Sequence, residues 1–172
     1  MTARLRPARP DDAPALAELA RESFVAAFGQ LYREEDLAAF LAEHKTTERY
    51  RRSLADSGTL IQLAESDDTI AGYCQLRRPS GFRSKSDAIN PIELQQLYLA
   101  PGTTGRGTGA ALMEWALATA RQLGCDAVQL SVFSENYGAQ RFYARFGFAK
   151  IADVDFWVGE QRDHELLYEL RL

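Results

Sequence analysis

The sequence contains little cysteine, no long apolar run and no excess of positive charge. Its two cysteines, Cys74 and Cys125, lie far apart without a C-x-x-C pair, so neither a disulfide framework nor a zinc site is indicated. No stretch approaches the roughly eighteen uncharged apolar residues of a membrane-spanning helix. The formal net charge of −4 argues against binding to nucleic acid or to an anionic membrane, which requires a basic face.

An export signal is also absent from the start of the chain, which proceeds to Arg4, Arg6 and Arg9 without an apolar segment. We therefore expect a reduced, cytoplasmic protein that has no metal, membrane or nucleic-acid partner. The length of 172 residues and the ordinary composition predict one domain that spans residues 1–172.

What the sequence does contain is a glycine-rich turn between a predicted strand and a predicted helix. The strand, residues 92–99, stops at Pro101, and an apolar-periodic helix begins at about Thr108. The turn and the first residues of the helix contain Gly102, Gly105, Gly107 and Gly109. Glycine lets a backbone bend sharply and approach a ligand, and the first amides of a helix are unpaired at the positive end of its dipole. The turn is therefore predicted to bind phosphate or pyrophosphate.

The spacing of the glycines distinguishes between known phosphate-binding turns. A Walker loop requires Lys and then Ser or Thr after its last glycine, and this chain has Gly107, Thr108 and Gly109 there. Gly105, Gly107 and Ala110 satisfy a relaxed dinucleotide fingerprint. That fingerprint normally opens a long domain, whereas only about sixty residues follow here.

The turn resembles the acetyl-CoA-binding motif of the GNAT family of N-acetyltransferases, written Q/R-x-x-G-x-G/A. The matching residues are Thr104, Gly105, Arg106, Gly107, Thr108 and Gly109. Thr104 departs from the Gln or Arg of the family and shortens or removes any side-chain hydrogen bond made there. Arg106 is either a partial replacement for that group or a solvated loop residue.

A second segment, residues 136–148, resembles the second signature of the same family. It has Asn136, an alanine, the aromatic pair Phe142 and Tyr143, and a final Gly-Phe. The segments IELQQLYL and FWVGEQRDHELLYEL further resemble the bacterial spermidine/spermine N-acetyltransferases. That subgroup resemblance implies a polyamine as the acceptor.

The local patterns predict the order of strands and helices. Strands are predicted at 3–8, 59–64, 69–77, 92–99 and 128–132, and helices after Asp11 or Asp12, from 34, at 48–54, after Thr108 and at 136–147. By the βαβ rule, the strand at 128–132 runs parallel to that at 92–99. The resemblance implies an α/β (α+β) GNAT fold. It has a mixed, mostly antiparallel twisted sheet of six to seven strands, with helices on both faces and the parallel pair splayed around acetyl-CoA.

The resemblance also implies roles for individual residues in direct acetyl transfer. The turn from Thr104 to Gly109 would bind the pyrophosphate, and backbone groups near Leu97 and Leu99, beside a bulge in their strand, would pair with the pantetheine arm. Tyr143 occupies the position of the general acid, with packing in the core as its alternative role. Asn136 occupies the position of an amide that contacts the CoA arm. Glu93 matches a carboxylate that accepts the proton of the amine, although it is also explained as a solvated residue at a strand end.

The predicted acceptor is a primary amine of a small molecule. The resemblance places Phe28, Tyr32, Glu34 and Glu35 in helices that line the acceptor pocket, although the two glutamates also fit a solvated face. His44 and His164 are expected on the surface. The alternatives are a CoA-binding regulatory module without turnover, acetylation of a protein or peptide amine, and, less favoured, a dinucleotide enzyme. A homodimer through the C-terminal strands is a further expectation.

Overall fold

A computed structural model describes residues 3–172 and contains a seven-stranded sheet in the order β1-β2-β3-β4-β5-β7-β6. The strands are β1 (Arg4–Pro7), β2 (Thr59–Ser66), β3 (Thr69–Arg77), β4 (Pro91–Leu99), β5 (Ala127–Phe133), β6 (Ala149–Val158) and β7 (Gln161–Arg171). The helices are α1 (Ala13–Phe28), α2 (Glu34–His44), α3 (Thr47–Ala55), α4 (Thr108–Gln122) and α5 (Tyr137–Arg145). No helix among residues 3–172 is long and apolar enough to cross a membrane.

The predicted fold class is confirmed by the pairing of the strands. β4 and β5 are parallel, with α4 as the crossover between them, and every other neighbouring pair is antiparallel. The predicted elements exist, with ends that differ by a few residues. Between β2 and β3, Asp67 and Asp68 form a two-residue turn with φ values of 49° and 60°, as a tight hairpin requires.

Helices cover both faces of the sheet, and each face has its own apolar core. On one face, α4 and α5 pack on β4 and β5, with Leu112, Met113, Ile92 and Val128 fully buried. On the other face, α1 and α3 pack on β2 and β3, around Leu16 and Leu63. A third, smaller cluster joins α1, α2 and β6 through Phe24, Phe40 and Val158. The sheet thus separates the two larger cores, one on each of its faces.

A bulge in β4 shifts the alternation of its side chains. Gln75 of β3 pairs with Gln96 and the next residue, Leu76, pairs with Leu94, so that Gln95 is the extra residue. As a result, Leu97 packs against the α4 side just as Leu94 does. The spacing of apolar residues along β4 records this shift, and the bulge implied by the family resemblance is present.

Candidate active site

The glycine-rich turn leaves the first amides of α4 without partners. Gly107 is the N-cap residue at φ 82° and supplies no side-chain acceptor, and within residues 3–172 the amides of residues 108–110 donate no hydrogen bond. The turn itself is held by Thr103, whose Oγ1 donates to Ala100 O at 2.6 Å. These free donors at the positive end of a fifteen-residue helix fit a phosphate group.

The glycines of this segment serve different purposes. A Cβ atom at Gly105 or Gly107 would meet nothing within 4 Å, so the positive φ alone explains why glycine stands there. Gly109 differs, because it lies inside α4 and a Cβ would meet Leu99 and Phe142, each at 3.6 Å. Gly109 therefore lies close to the sheet, and its approach to a phosphate stays a prediction. Thr104 and Arg106 are exposed on the turn, and Thr108 is buried.

β4 and β5 diverge after a short parallel contact. Their pairing covers only residues 91–93 of β4 and 127–129 of β5. Ala100 N donates to Ala71 O, beside β3, and alternate residues of a strand direct their amides to opposite sides. The amides of Leu97 and Leu99 therefore point away from β3, into the gap on the β5 side. Their pairing with a pantetheine arm stays a prediction.

A buried serine of α1 reaches the same edge of β4. The Ser23 hydroxyl donates to Leu99 O at 3.0 Å, and only 6% of the residue is exposed. This bond attaches α1 to the open side of β4 where no strand pairs with it. Sequence analysis assigned no role to Ser23, because a serine on an apolar helix face carries no signal of a partner 76 residues away.

Tyr143 and Asn136 are both contributed by α5. The Tyr143 ring packs against Phe142 and Phe148 on the α4 side of the sheet, with centroid distances of 5.5 and 5.9 Å. Burial raises the pKa of Tyr143 far above its ordinary value, so that the hydroxyl keeps its proton at neutral pH. Asn136 is the N-cap of α5, where its side-chain oxygen accepts from Ala139 N at 3.1 Å. Its NH₂ group is left to donate elsewhere.

Glu93 faces the opposite side of β4 from Tyr143. Ile92 and Leu94 on either side of it pack toward α4, and side chains alternate along a strand. Its Oε2 accepts from Gly81 N at 3.0 Å. Burial raises the pKa of Glu93, although the Gly81 amide and the charge of Arg77 counteract part of that rise. A raised pKa makes the carboxylate a stronger base than a solvated glutamate.

Glu93 lines a cavity of about 610 Å³, called the large cavity below. The lining comes from α2, α3, the segment after α3, β3, β4, β5 and β6, and includes His44, Lys45, Arg49, Tyr50, Arg52, Asp56, Gln75, Arg77, Glu93, Gln95, Tyr98, Ser131 and Trp157. Gln95 and Tyr98 belong to β4 and Ser131 belongs to β5, so the cavity extends across the gap between the two strands. It is therefore placed to bring a second molecule to the same gap.

Several residues expected in this pocket lie elsewhere. Glu34 and Glu35 are exposed at the start of α2 and do not line the large cavity. Phe28 packs in the third apolar cluster, and the Tyr32 hydroxyl donates to Asp163 of β7. No acid between residues 29 and 54, all of which the structure describes, lines the large cavity.

The expected surface position is met in part by His44, whose side chain is 37% exposed although it lines the large cavity, and fully by His164. The His44 ring lies 4.8 Å from the Phe40 ring and lines the large cavity, and burial lowers its pKa, so that it is neutral at pH 7. Phe40 and His44 are four residues apart on α2, so their rings lie on the same side of the helix. This spacing is a weak signal in a polar segment. His164 is exposed on β7 and hydrogen-bonds Asp153 at 2.7 Å.

Lys45, just after α2, is the residue that sequence analysis missed most completely. Only 3% of it is exposed, and its ammonium nitrogen lies 5.0 Å from the centroid of the Tyr98 ring. The rings of Phe40 and Phe24 are 5.8 and 5.9 Å away. Burial, assisted by the charge of Arg49, lowers the pKa of Lys45 to about 8. A lysine in the polar sequence EHK gives no sign of such burial.

A metal centre finds no support in the described part of the chain. Residues 3–172 contain no group of three or more His, Cys, Asp or Glu side chains that could hold a metal ion. Cys74 is buried and Cys125 nearly so, and both are free thiols. The chemistry available at the gap is therefore that of free amides, a tyrosine, carboxylates and basic side chains.

The combination of a splayed parallel pair and a helix-opening glycine turn is that of an acyl-CoA-dependent transferase, and comparisons with known proteins agree. Residues 14–148 match the model of the acetyltransferase (GNAT) family. An uncharacterized N-acetyltransferase of Mycobacterium tuberculosis is 35% identical over 161 residues, which cover 92% of this chain and 98% of that protein. The chain therefore belongs to the acetyltransferase (GNAT) family, and the predicted N-acetyltransferase class is confirmed.

More distant relatives show the same fold or carry a more specific name. A spermidine N(1)-acetyltransferase of Thermoplasma acidophilum is 26% identical over 159 residues, which cover 90% of this chain and 92% of that protein. The crystal structure of the PaiA N-acetyltransferase of the same organism, in complex with coenzyme A, superposes with a TM-score of 0.82 at 24% identity and full coverage of both chains. A putative acetyltransferase of Salmonella typhimurium, solved with acetyl-CoA, has a TM-score of 0.67 at 20% identity and covers 100% of this chain and 95% of that one.

Proposed function

We propose that the protein transfers the acetyl group of acetyl-CoA to a primary amine of a small molecule by direct attack in a ternary complex. The observation that carries this proposal is the gap between β4 and β5. The glycine-rich turn follows the C-terminal end of β4, which borders the gap. The large cavity is lined by residues of both β4 and β5 and extends across the gap. Two molecules can therefore meet there without a covalent acyl-enzyme.

The backbone is proposed to supply most of the binding to acetyl-CoA. The free amides at the start of α4, together with Arg106, would hold the pyrophosphate. The amides of Leu97 and Leu99 would pair with the pantetheine arm, and one of them would donate to the carbonyl oxygen as negative charge develops on it. The NH₂ group of Asn136 is free to contact the same arm.

Glu93 and Tyr143 are proposed to act as base and acid from opposite faces of the sheet. Glu93, in the large cavity, would accept a proton from the attacking ammonium directly or through water. Tyr143, on the α4 side, would return a proton to the departing thiolate. The raised pKa of Glu93 supports its assignment, since it favours proton uptake. The assignment of Tyr143 rests on its position, because a raised pKa keeps the hydroxyl protonated but makes it a weaker acid.

Binding and turnover measured together test this proposal. Calorimetry with acetyl-CoA, CoA and NAD comes first, followed by a thiol-release assay with a panel of small amines and a lysine-containing peptide. We expect acetyl-CoA and CoA to bind, NAD to fail, and thiol release to require a small amine. Binding without release under any condition would favour a regulatory module, and release only with the peptide would favour a macromolecular acceptor.

A polyamine is the specific acceptor that the subgroup resemblance suggests. Its support is the likeness to a spermidine N(1)-acetyltransferase at 26% identity. A polyamine pocket must bind a second positive charge, yet only Asp56 and Glu93 supply carboxylates to the large cavity. The panel therefore includes spermidine as one acceptor among several.

A further inference from the structure

The large cavity has more positive than negative charge. Its basic residues are Lys45, Arg49, Arg52 and Arg77, and its acidic residues are Asp56 and Glu93. His44 also lines it and is uncharged at neutral pH because burial lowers its pKa. This distribution is unexpected in a protein whose formal net charge is −4. It is also unfavourable for a ligand that carries several positive charges.

Three of the four basic residues are not neutralised. Within residues 3–172, Lys45, Arg49 and Arg77 form no ion pair, whereas Arg52 pairs with Glu48 at 3.3 Å. The Lys45 side chain is almost fully buried, and its ammonium group donates no hydrogen bond to a described residue. Three aromatic rings stabilise this cation in part, but no carboxylate neutralises it, so an anionic ligand in the cavity would complete its surroundings.

The two acids of the cavity are already engaged by the protein. Asp56 accepts from Gly58 N and from the Thr59 hydroxyl, at 3.1 and 2.8 Å. Glu93 accepts from Gly81 N and is proposed as the base. With Glu93 assigned as the base, Asp56 is the one carboxylate of the cavity lining left for the distant ammonium group of a polyamine.

The charges are divided between two ends of the large cavity. Lys45 and Arg49 lie at the junction of α2 and α3, where Arg49 is close enough to affect the pKa of both Lys45 and His44. Glu93 lies at the other end, where Arg77 influences its pKa as well as that of Asp56. Gln75 also lines the cavity, and its side-chain oxygen is buried without a hydrogen-bond donor.

We infer that the acceptor of this enzyme is an amine that also carries an anionic group, a carboxylate or a phosphate, which binds Lys45 and Arg49 while the amine faces Glu93. The inference rests on the proposed function and specifies its substrate class. The reaction is unchanged: the amine nitrogen forms the amide bond, the thioester bond breaks, the ammonium proton leaves through Glu93, and CoA is released as the thiol. The anionic group takes no part in the bond changes and positions the amine.

Matched pairs of acceptors test the inference directly. Cadaverine and L-lysine differ by one carboxylate, ethanolamine and O-phosphoethanolamine differ by one phosphate, and spermidine represents the polyamines. With the wild-type protein, we expect kcat/KM to be at least about tenfold higher for the anionic member of one or both pairs. The first pair reports on carboxylate recognition and the second on phosphate recognition.

Two variants and a control locate the effect. Arg49 is exposed, so Arg49→Gln leaves the fold intact, and Lys45→Met removes the buried charge at nearly constant length. Each should lower kcat/KM for the preferred anionic acceptor by at least about tenfold, mostly through KM, and should change kcat/KM for the pair member without the anionic group by less than about threefold. Arg51→Gln, on α3 but outside the large cavity, should change neither.

The possible results separate this inference from the proposed function. Thiol release with spermidine or cadaverine but with neither anionic acceptor would overturn the inference and leave the proposed function standing. An equal effect of Arg49→Gln on the pair members with and without the anionic group would also overturn it. Acetyl-CoA binding without thiol release for every amine would overturn both.

Discussion

Lys45, Glu93 and Tyr143 each lie where burial changes the protonation equilibrium of the side chain. Burial lowers the pKa of Lys45 to about 8, and it raises the pKa values of Glu93 and Tyr143. The charged form is disfavoured in all three, because each loses hydration. The shift at Glu93 favours its proposed role as a base, and the shift at Tyr143 keeps its hydroxyl protonated. The shift at Lys45 reflects a cation that a bound anion would stabilise.

The shift at Lys45 makes a prediction about stability and pH. Below about pH 8 the buried ammonium is charged, and the cost to folding relative to a free lysine is up to ~3 kcal/mol. Between about pH 8 and 10.5 the unfolded state binds more protons than the folded state, so the stability of the wild type rises with pH. Lys45→Met should therefore be more stable than the wild type at pH 7 and lose that advantage by pH 10.5.

Chemical denaturation at several pH values measures this difference. Lys85→Met provides the matched control, because Lys85 is exposed. Its stability should follow that of the wild type across the whole range. A difference between Lys45→Met and the wild type that does not change with pH would contradict a lowered pKa at Lys45.

Removal of the proposed base should have an effect that depends on pH. Glu93→Gln keeps an oxygen that can accept from Gly81 N, so the local structure should persist. An amine is mostly protonated at neutral pH, so loss of the base should lower kcat/KM most strongly on the acid limb. The loss should be partly relieved as pH rises and neutral amine accumulates. A uniform loss at all pH values would argue for a role in binding instead.

Removal of the proposed acid should behave differently. Tyr143→Phe keeps the ring between Phe142 and Phe148, so the fold should be retained. We expect kcat to fall toward the lower end of the roughly 10²- to 10⁴-fold range of general acids, because a thiolate is a fair leaving group, and affinity for acetyl-CoA to change little. Higher pH should not restore kcat. Tyr137→Phe, on the exposed side of the same helix, is the control and should match the wild type.

At the scale of elements, the turn between β4 and α4 depends on backbone conformation. Gly107 and Gly124 lie before and after α4 at φ values of 82° and 70°, and a Cβ at either would meet nothing within 4 Å. Alanine should therefore strain both to a similar extent, by about 1 to 2 kcal/mol. Only Gly107→Ala should also weaken acetyl-CoA binding, by at least about fivefold, because only that turn is proposed to hold the pyrophosphate.

Calorimetry of the two glycine variants with acetyl-CoA measures whether only Gly107→Ala weakens binding. Their thermal midpoints should be lowered by comparable amounts, which makes Gly124→Ala a control for general destabilisation. Equal affinities for acetyl-CoA in the two variants would remove the pyrophosphate from this turn. The proposal for the β4–β5 gap would then rest on Leu97 and Leu99 alone.

At the scale of the whole molecule, ligand binding should stabilise the folded chain. The proposed acetyl-CoA site combines α4, α5 and the divergent strands, and it does not exist in the unfolded state. A ligand at about 100 times its Kd adds ~2.7 kcal/mol, which raises Tm by roughly 5 to 10 °C for a domain of this size. Acetyl-CoA and CoA should both produce the shift in a thermal scan, and NAD should not. A shift with NAD alone would favour the dinucleotide alternative.

Local patterns in the sequence determined much of what was predicted correctly. The strand, turn and helix from residue 92 to 123 could be predicted from the sequence. Apolar periodicity and the preference for glycine at positive φ both depend only on residues that are close in the sequence. Two motifs at that segment and at 136–148 identified the family. The parallel pairing of β4 and β5 followed from the handedness and length of the connection.

Only the tertiary structure decided the composition of the large cavity. Lys45 follows α2, Arg77 ends β3 and Glu93 lies in β4, so their proximity depends on contacts across the whole sheet. For Glu34 and Glu35, sequence analysis considered both the acceptor pocket and a solvated face, and the structure places them in solvent. It gave no indication that Lys45 is buried. The period of a helix assigns a residue to a face, but only the packing of that face against distant strands determines whether a charge is solvated, paired or left for a ligand.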